Sequence, residues 1–314
     1  MSKKLSEFDL IDKIKTMFPT PQNMIGIGDD CAIIPQASGF DTLVSTDLLI
    51  EGVHFLRQDI QPTLLGWKAA AVNLSDIAAM GGKPIGTFLS VALPSDCSQE
   101  WIDQFLEGYH DISSCYNVSL LGGDTTRSLN TICINVGVVG TVPHGKALQR
   151  NTAQVGDLIC VTGPLGDAAA GLKIILSQLP RLDHESALVL RHYHPMPRIE
   201  EGITLAATPG VHAMMDISDG IASDLRHIVK ASQVGADVDV ERLPFSNELL
   251  SVCQKYNWDR VQLALEGGED YELLFTMDPQ CHPAVQYHTI GQITDSNTIQ
   301  WIGGNRTYEG FSHF

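Results

Sequence analysis

Apolar positions along the chain follow two rhythms, one of about 3.6 residues and one of two, and the segments they mark interleave. Phe8, Ile11, Ile14 and Phe18 share helical spacing between Glu7 and Phe18, and Pro19 and Pro21 end that pattern. From Asp29 to Phe55 acidic, loop-like clusters alternate with apolar runs such as Thr42-Leu43-Val44-Ser45-Thr46, the pattern of strands with polar ends. Pro62 opens a long helical stretch through Met80. Leu65, Ala69 and Val72 form its stripe, Trp67, Leu74 and Ile77 lie close by, and Gly81-Gly82 supplies the C-terminal cap. Asn73 and Asp76, three apart, fall on one face of its last turns.

The same reading predicts a strand over Phe88 to Leu93, a helix over Gln99 to Tyr116, a short strand over Val118 to Leu121 and a longer strand over Thr131 to Val142. Between Pro143 and Asp157 the pattern lapses into Pro, Gly and polar residues, which marks a boundary between two halves. Leu158 to Thr162 restarts a strand, then come Gly163-Pro164-Leu165-Gly166 and a helix from Asp167 to about Leu179. A strand near Ala213 to Met215, a helix from Ile221 to Ala231 with Leu225, Ile228 and Val229 inward, and a strand over Tyr271 to Thr276 complete the expectation. No tandem repeat or low-complexity tract interrupts it. The expected class is α/β, of the α+β sandwich type.

Composition narrows the function classes. A chain of 314 residues has room for two domains, and 44% apolar with 18% charged residues excludes wholesale disorder. Twenty Lys and Arg face 37 Asp and Glu, a formal net charge of −17, the wrong sign for a nucleic-acid backbone or an anionic membrane. Cations and metal-borne anions are the expected partners. No run of about 18 apolar residues is present, and the N-terminus meets Glu7 and Asp9 before any signal-type segment, so a cytoplasmic location is expected. Seven scattered cysteines without CxxC spacing read as reduced thiols.

Acidic residues collect beside glycine or at element ends: Gly28-Asp29-Asp30, Ser45-Thr46-Asp47, Asn73-Leu74-Ser75-Asp76, Gly122-Gly123-Asp124-Thr125, Asp216-Ile217-Ser218-Asp219-Gly220 and Gly267-Gly268-Glu269-Asp270. One such cluster reads first as a solvated turn; six call for another reason. Two carboxylates at 4 Å repel by about 1 kcal/mol in water and about 4 at an effective dielectric of 20, so a converging set must protonate or bind cations. Hard oxygen donors without Cys spacing or paired His favour Mg²⁺ over Zn²⁺, and Mg²⁺ commonly shares phosphate oxygens. GxxxxGK[ST], the protein-kinase motif set and the GxSxG elbow are all absent. Gly163-Pro164-Leu165-Gly166 is a weak phosphate-loop signal, equally a helix-packing turn. Ser218 reads first as a cap for the helix starting near Ile221.

Read in order, these segments, with Ile50-Glu51-Gly52-Val53-His54-Phe55, Val161-Thr162-Gly163-Pro164-Leu165-Gly166 and Glu269-Asp270-Tyr271-Glu272-Leu273-Leu274-Phe275, resemble the thiamine-monophosphate kinase family of the aminoimidazole-ribonucleotide-synthetase-like ATP-binding superfamily, almost end to end. The resemblance implies transfer of the γ-phosphoryl group of ATP to thiamine monophosphate with several Mg²⁺ ions, without a covalent or acid–base catalytic side chain. It implies metal ligands at Asp30, Ser45, Thr46, Asp47, Asp76, Asp124, Asp216 and Asp219, nucleotide contacts at Gly123, Arg150 and Ser218, and substrate contacts at His54, Glu269 and Phe311. It also implies a homodimer built on the N-terminal half, residues 1–145, with the C-terminal half, residues 146–314, completing the nucleotide and substrate site.

Two other readings compete. One is a relative with the same ATP site, of the aminoimidazole-ribonucleotide synthetase, selenophosphate synthetase or hydrogenase-maturation type; here the first cysteine is Cys31, inside an acidic motif, and the chain ends in Phe314 rather than Cys. The other is a non-catalytic metal- or nucleotide-binding protein.

Overall fold

In the computed structural model, which describes Ile25 and residues 29–36, 39–304 and 306–310, two mixed sheets are joined by a shared helix. The first sheet holds β1 (Ala32–Pro35), β2 (Phe40–Ile50), β3 (Lys83–Leu93), β4 (Ser119–Arg127) and β5 (Cys133–Pro143) in the order β1-β2-β5-β3-β4. Only the edge pair β3 and β4 is parallel. Helices α1 (Pro62–Ala79) and α2 (Gln99–Cys115) belong to this half.

The second sheet holds β6 (Leu158–Val161), β7 (Val211–Asp216), β8 (Gly235–Asp239), β9 (Leu273–Met277), β10 (His288–Thr294) and β11 (Ile299–Ile302), in the order β11-β8-β10-β6-β9-β7. Around it lie α3 (Asp167–Leu176), α4 (Asp183–Tyr193), α5 (Ile199–Ala207), α6 (Ile221–Ser232), α7 (Asn247–Tyr256) and α8 (Arg260–Glu266). The fold is therefore α/β with two mixed sheets, as the interleaved rhythms imply.

Helix α1 positions the site. Pro62 starts it where a missing N–H costs nothing. It ends in a left-handed turn at Gly81, φ +70°, with Gly82 N–H donating to Ile77 O at 2.9 Å. A Cβ at Gly81 would also lie 2.2 Å from the Ala206 Cβ of α5. The expected apolar stripe is buried, but so are Lys68, Asn73 and Ser75, because the helix packs on β2 and β5 on one side and on α5 and β7 on the other. One hydrophobic core accordingly runs from Leu43, Ile134 and Val136 through Ala69, Leu74 and Ile77 to Met214 and Phe275. A second core, with Ile159, Ile217, Leu225 and Ile290, fills the space under α6.

The main departure from the sequence pattern is β4. A strand expected to stop at Leu121 continues to Arg127, through Gly122-Gly123-Asp124. It is a parallel edge strand exposed along its length, so no alternation of buried positions announces it. Other expected elements differ at their ends: β3 starts earlier, at Lys83, the helix from Asp167 stops at Leu176, and the last expected strand spans Leu273–Met277, whereas α4, α5, α7, α8, β8, β10 and β11 have no counterpart in the expectation. The helix expected over Glu7 to Phe18 lies outside the described residues.

Candidate active site

Alternation along β2 turns Ser45 and Asp47 toward α1, whose last turns carry Asn73, Ser75 and Asp76. The end of β7 delivers Asp216, and Asp30 comes from the segment before β1. Carboxylate oxygens of Asp30, Asp76 and Asp216 lie within 4.8 Å of one another. Ser45 Oγ donates to Asp76 Oδ2 at 2.5 Å and Ser75 Oγ to Asp216 Oδ2 at 2.6 Å. The Asp47 N–H donates to Asn73 Oδ1 at 3.0 Å, which locks β2 to the helix.

Burial, and after it the neighbouring carboxylates, raises the proton affinity of this group. Asp76 and Asp216 are pushed well above the ordinary carboxylate range, and Asp47, beside Asp30, is pushed up to about 6. Burial and Asp30 likewise raise Asp29 to about 7. The Arg150 guanidinium forks onto Asp30, Nη2 to Oδ1 at 2.7 Å and Nε to Oδ2 at 3.2 Å, and its main-chain N–H donates to Asp29 at 3.2 Å. Among the described residues, the Arg150 guanidinium meets several closely spaced carboxylates, which leaves a site that favours further positive charge.

The donor set fits Mg²⁺. It consists of carboxylate and hydroxyl oxygens, and the nearby Cys31 thiol donates to Asp76 O at 3.4 Å, its own proton held by burial and the surrounding aspartates.

Beside the cage opens a cleft of about 460 Å³ whose lining includes Asp47, His54, Asp76, Asp216, Ser218, Asp219 and Glu269. His54 follows β2 in a turn where the Ile50 N–H donates to Nδ1 at 3.0 Å, so the neutral ring carries its hydrogen on Nε2. Glu269 stands at the other end, with Lys68 Nζ 2.9 Å from Oε1 and His192 Nδ1 2.9 Å from Oε2. Burial works against its charge, but Lys68 and then His192 more than offset that and hold the carboxyl well below its usual range.

Several expected residues stand elsewhere. The Thr46 hydroxyl points to the opposite face of β2, donating to Val136 O at 3.1 Å and accepting from Asn135 at 2.8 Å. Asp124 lies on β4, with β5 and β3 between it and β2, and its carboxylate accepts the Thr125 N–H at 2.9 Å. Gly123 beside it has φ +154°, and a Cβ there would meet Leu89 O at 1.8 Å, so the residue type reflects close strand packing. Phe311 lies outside the described residues. Ser218 does not cap α6; Gly220 occupies that position and Ser218 faces the cleft. The Gly163 to Gly166 turn does not offer its N–H groups outward either. Half-buried Asp270 accepts from Gly166 N at 2.7 Å and Ala168 N at 3.2 Å, occupying the positive start of α3.

Lys68, Ser75 and His192 were not singled out by sequence reasoning. Ser75 sits within the Asn73 to Asp76 cluster, and that adjacency is a usable signal. Lys68 and His192 carry none, because their partner is distant in the chain.

Comparison with known proteins gives one answer at two levels. The model for AIR synthase related proteins, N-terminal domain, matches residues 28–142, and the model for the C-terminal domain of the same proteins matches residues 154–302. The chain is 41% identical over 310 residues to thiamine-monophosphate kinase of Escherichia coli K12, covering 92% of each chain. To the Aquifex aeolicus thiamine-monophosphate kinase it is 37% identical over 314 residues, covering 99% of each. A solved structure described as AaThiL complexed with AMPPCP and TMP superposes with a TM-score of 0.91 at 36% identity, covering 99% of this chain and 97% of that one.

Proposed function

Because the chain belongs to the thiamine-monophosphate kinase family of AIR synthase related proteins, we infer that the cleft beside the carboxylate cage is where ATP and thiamine monophosphate meet. The protein is an ATP-dependent kinase that phosphorylates thiamine monophosphate to thiamine diphosphate. An oxygen of the acceptor phosphate bonds to the γ-phosphorus, the bond from that phosphorus to the β-bridging oxygen breaks, and ADP leaves. A phosphate monoester has a second pKa near about 6 and is mostly dianionic at pH 7, so the attacking oxygen needs no base. Alignment and charge neutralisation remain as the protein's tasks.

The convergence of Asp30, Asp76 and Asp216 within 4.8 Å carries the rest of the reading. These residues, with Asp47, Asp219 and the Ser45 hydroxyl, would hold Mg²⁺. Bound there, Mg²⁺ supplies positive charge to the phosphate oxygens as negative charge shifts between them. Arg150 offers a planar fork and Ser218 a hydroxyl to the nucleotide. His54, with hydrogen on Nε2, and Glu269 contact the thiamine moiety, and Phe311 adds an aromatic surface for a cationic ring.

The first sheet accounts for the residues outside the cage. Register puts Leu48, Asn135, Ser90 and Asp124 in one row on its outer face, the face to which Thr46 turns. Exposed Phe40, Leu48, Phe88, Leu120 and Leu121 make the β2, β3 and β4 region strongly apolar. A homodimer through this face buries that surface, and the roles of Thr46, Gly123 and Asp124 rest on that second copy. Residues 1–145 form the dimerising half and 146–314 the half that completes the site. No helix among the described residues is long and apolar enough to cross a membrane, and a cytoplasmic location accords with that.

The test is a panel of phosphate monoesters incubated with the protein, ATP and Mg²⁺. Thiamine diphosphate and ADP in equal amounts are expected. ADP release independent of thiamine monophosphate, or a diphosphate of another acceptor, would overturn the reading.

A further inference from the structure

Lys68 and Glu269, 201 residues apart in sequence, meet across the two halves with Nζ 2.9 and 3.0 Å from the two carboxylate oxygens. Lys68 is wholly buried, whereas a quarter of the Glu269 side chain is exposed to the cleft. Stability alone does not account for the pair, since desolvating an ammonium and a carboxylate offsets much of their attraction and apolar replacements of similar volume are often neutral or better.

The backbone around Glu269 is also committed. Glu269 has φ +68° and Tyr271 φ +49°, both left-handed, a conformation that a side chain with Cβ resists unless its surroundings impose it. The surroundings do so through Glu269 N–H to Ser218 O at 2.8 Å and Tyr271 N–H to Ile217 O at 3.0 Å. The side chain is then aimed by Lys68, which shares α1 with Asp76. Eight residues separate the two, about 12 Å along a helix axis. One rigid rod thus fixes both the cage and the Glu269 end of the cleft.

We propose that Lys68 is the positioning residue of the thiamine-monophosphate subsite: it fixes the Glu269 side chain and points it at the cationic thiazolium ring. The inference rests on the kinase reading above and on Glu269 as a substrate contact. The other groups around Glu269 do not replace Lys68: in the pocket beside it Arg198 is paired with Glu272 and Glu201, Arg191 is exposed and His194 stacks on Trp67. His192, on α4, has Nδ1 2.9 Å from Glu269 Oε2, but burial and then Lys68 lower its own proton affinity, so it supplements the fixed ammonium and does not stand in for it. Tyr193 and Tyr271 keep their phenolic protons, chiefly through burial, and Tyr193 Oη donates to Asp59 Oδ2 at 2.5 Å.

The experiment compares Lys68→Met, Glu269→Gln and the double variant with wild type, each checked for folding by circular dichroism and melting. Lys68→Met is expected to raise KM for thiamine monophosphate at least tenfold at pH 6.5, with KM for ATP within twofold. The ratio of its KM to that of wild type should fall toward one as pH rises to 9, since Glu269 without its ammonium binds a proton more readily; using the ratio cancels titration of the substrate. The double variant should be no worse than Glu269→Gln alone. That comparison also serves if Lys68→Met by itself fails to fold, because the double variant strands no buried charge. A pH-independent ratio overturns the proposal, as does a double-variant loss equal to the product of the single losses. A normal KM in folded Lys68→Met with a raised KM in Glu269→Gln overturns the role of Lys68 and leaves the subsite standing. A normal KM in Glu269→Gln overturns the subsite and the proposal together, while thiamine diphosphate formation by wild type tests the kinase reading separately.

Discussion

At one end of the cleft Asp30, Asp76 and Asp216 crowd within 4.8 Å with Arg150 on Asp30 and Asp29, while about two turns back along α1 Glu269 is gripped by a buried lysine. Carboxylates in the first group are pushed toward protonation by burial and by one another; the carboxyl of the second is held ionised against the same burial. The difference lies in where the compensating charge comes from. The cage leaves it to be brought by a ligand, which suits metal and triphosphate. The Glu269 end carries its own cation, so its carboxylate is ready for an organic cation without any metal.

The contrast breaks most sharply at the cage. Asp216→Asn should reduce turnover by about 10³-fold or more, since charge held on a metal is worth several kcal/mol at the transition state. Its melting temperature should stay level or rise, because a repelling buried charge is removed. Wild type should also melt several degrees higher in saturating Mg²⁺ than in chelator, as about 2.7 kcal/mol of linkage at a hundredfold excess over Kd requires, and Asp216→Asn should lose most of that gain. An Asp216→Asn protein that turns over normally would remove the cage from the mechanism.

Asp124 gives the next largest effect, about 100-fold in turnover for Asp124→Asn, and tests whether the cage is completed by a second copy. Mixed dimers of Asp76→Asn and Asp124→Asn chains decide it. If Asp124 of the partner subunit serves the site, one site per mixed dimer has every group intact, and two inactive preparations regain activity on mixing. If Asp124 serves its own chain, both sites stay defective. Leu121→Glu, on the exposed outer face, should shift the protein toward monomer in sedimentation and lose activity with it.

These two regions were unequally legible in the sequence. The stripe of Leu65, Ala69 and Val72 between Pro62 and Gly81 marks α1, and the glycine-acid clusters mark most of the cage, because a turn beside a carboxylate is a local feature. Thr46 misleads for an equally local reason: it neighbours Ser45 and Asp47, but a strand sends adjacent side chains to opposite faces. Asp270 occupies the helix start that the Gly163 to Gly166 turn advertised for phosphate, an occupant 104 residues away that no spacing announces. Lys68 is the extreme case. In a stretch reading Trp67-Lys68-Ala69-Ala70-Ala71, one lysine looks like the solvated edge of an amphipathic helix, and its burial against Glu269 comes with the packing of the second half on α1.

The smallest effect is a difference in acid stability that belongs to the Glu269 end alone. The folded-state pKa of Glu269 is lowered, through Lys68 and His192 outweighing burial, from an unfolded value near about 4.3. A lowered carboxyl contributes stability that is fully present above the unfolded pKa and is lost as pH falls toward the folded one. Comparing wild type with the Lys68→Met, Glu269→Gln double variant, which lacks both charges, isolates that slope from every other titrating group the two proteins share. In urea unfolding without divalent ions, the free-energy difference between them should be level from pH 7 to about 5 and then move against wild type by about 1 kcal/mol over the first unit below the unfolded pKa. A difference that stays constant down to pH 3.5 would mean that Glu269 is not held ionised by the fold, and the two ends of the cleft would then be electrostatically alike.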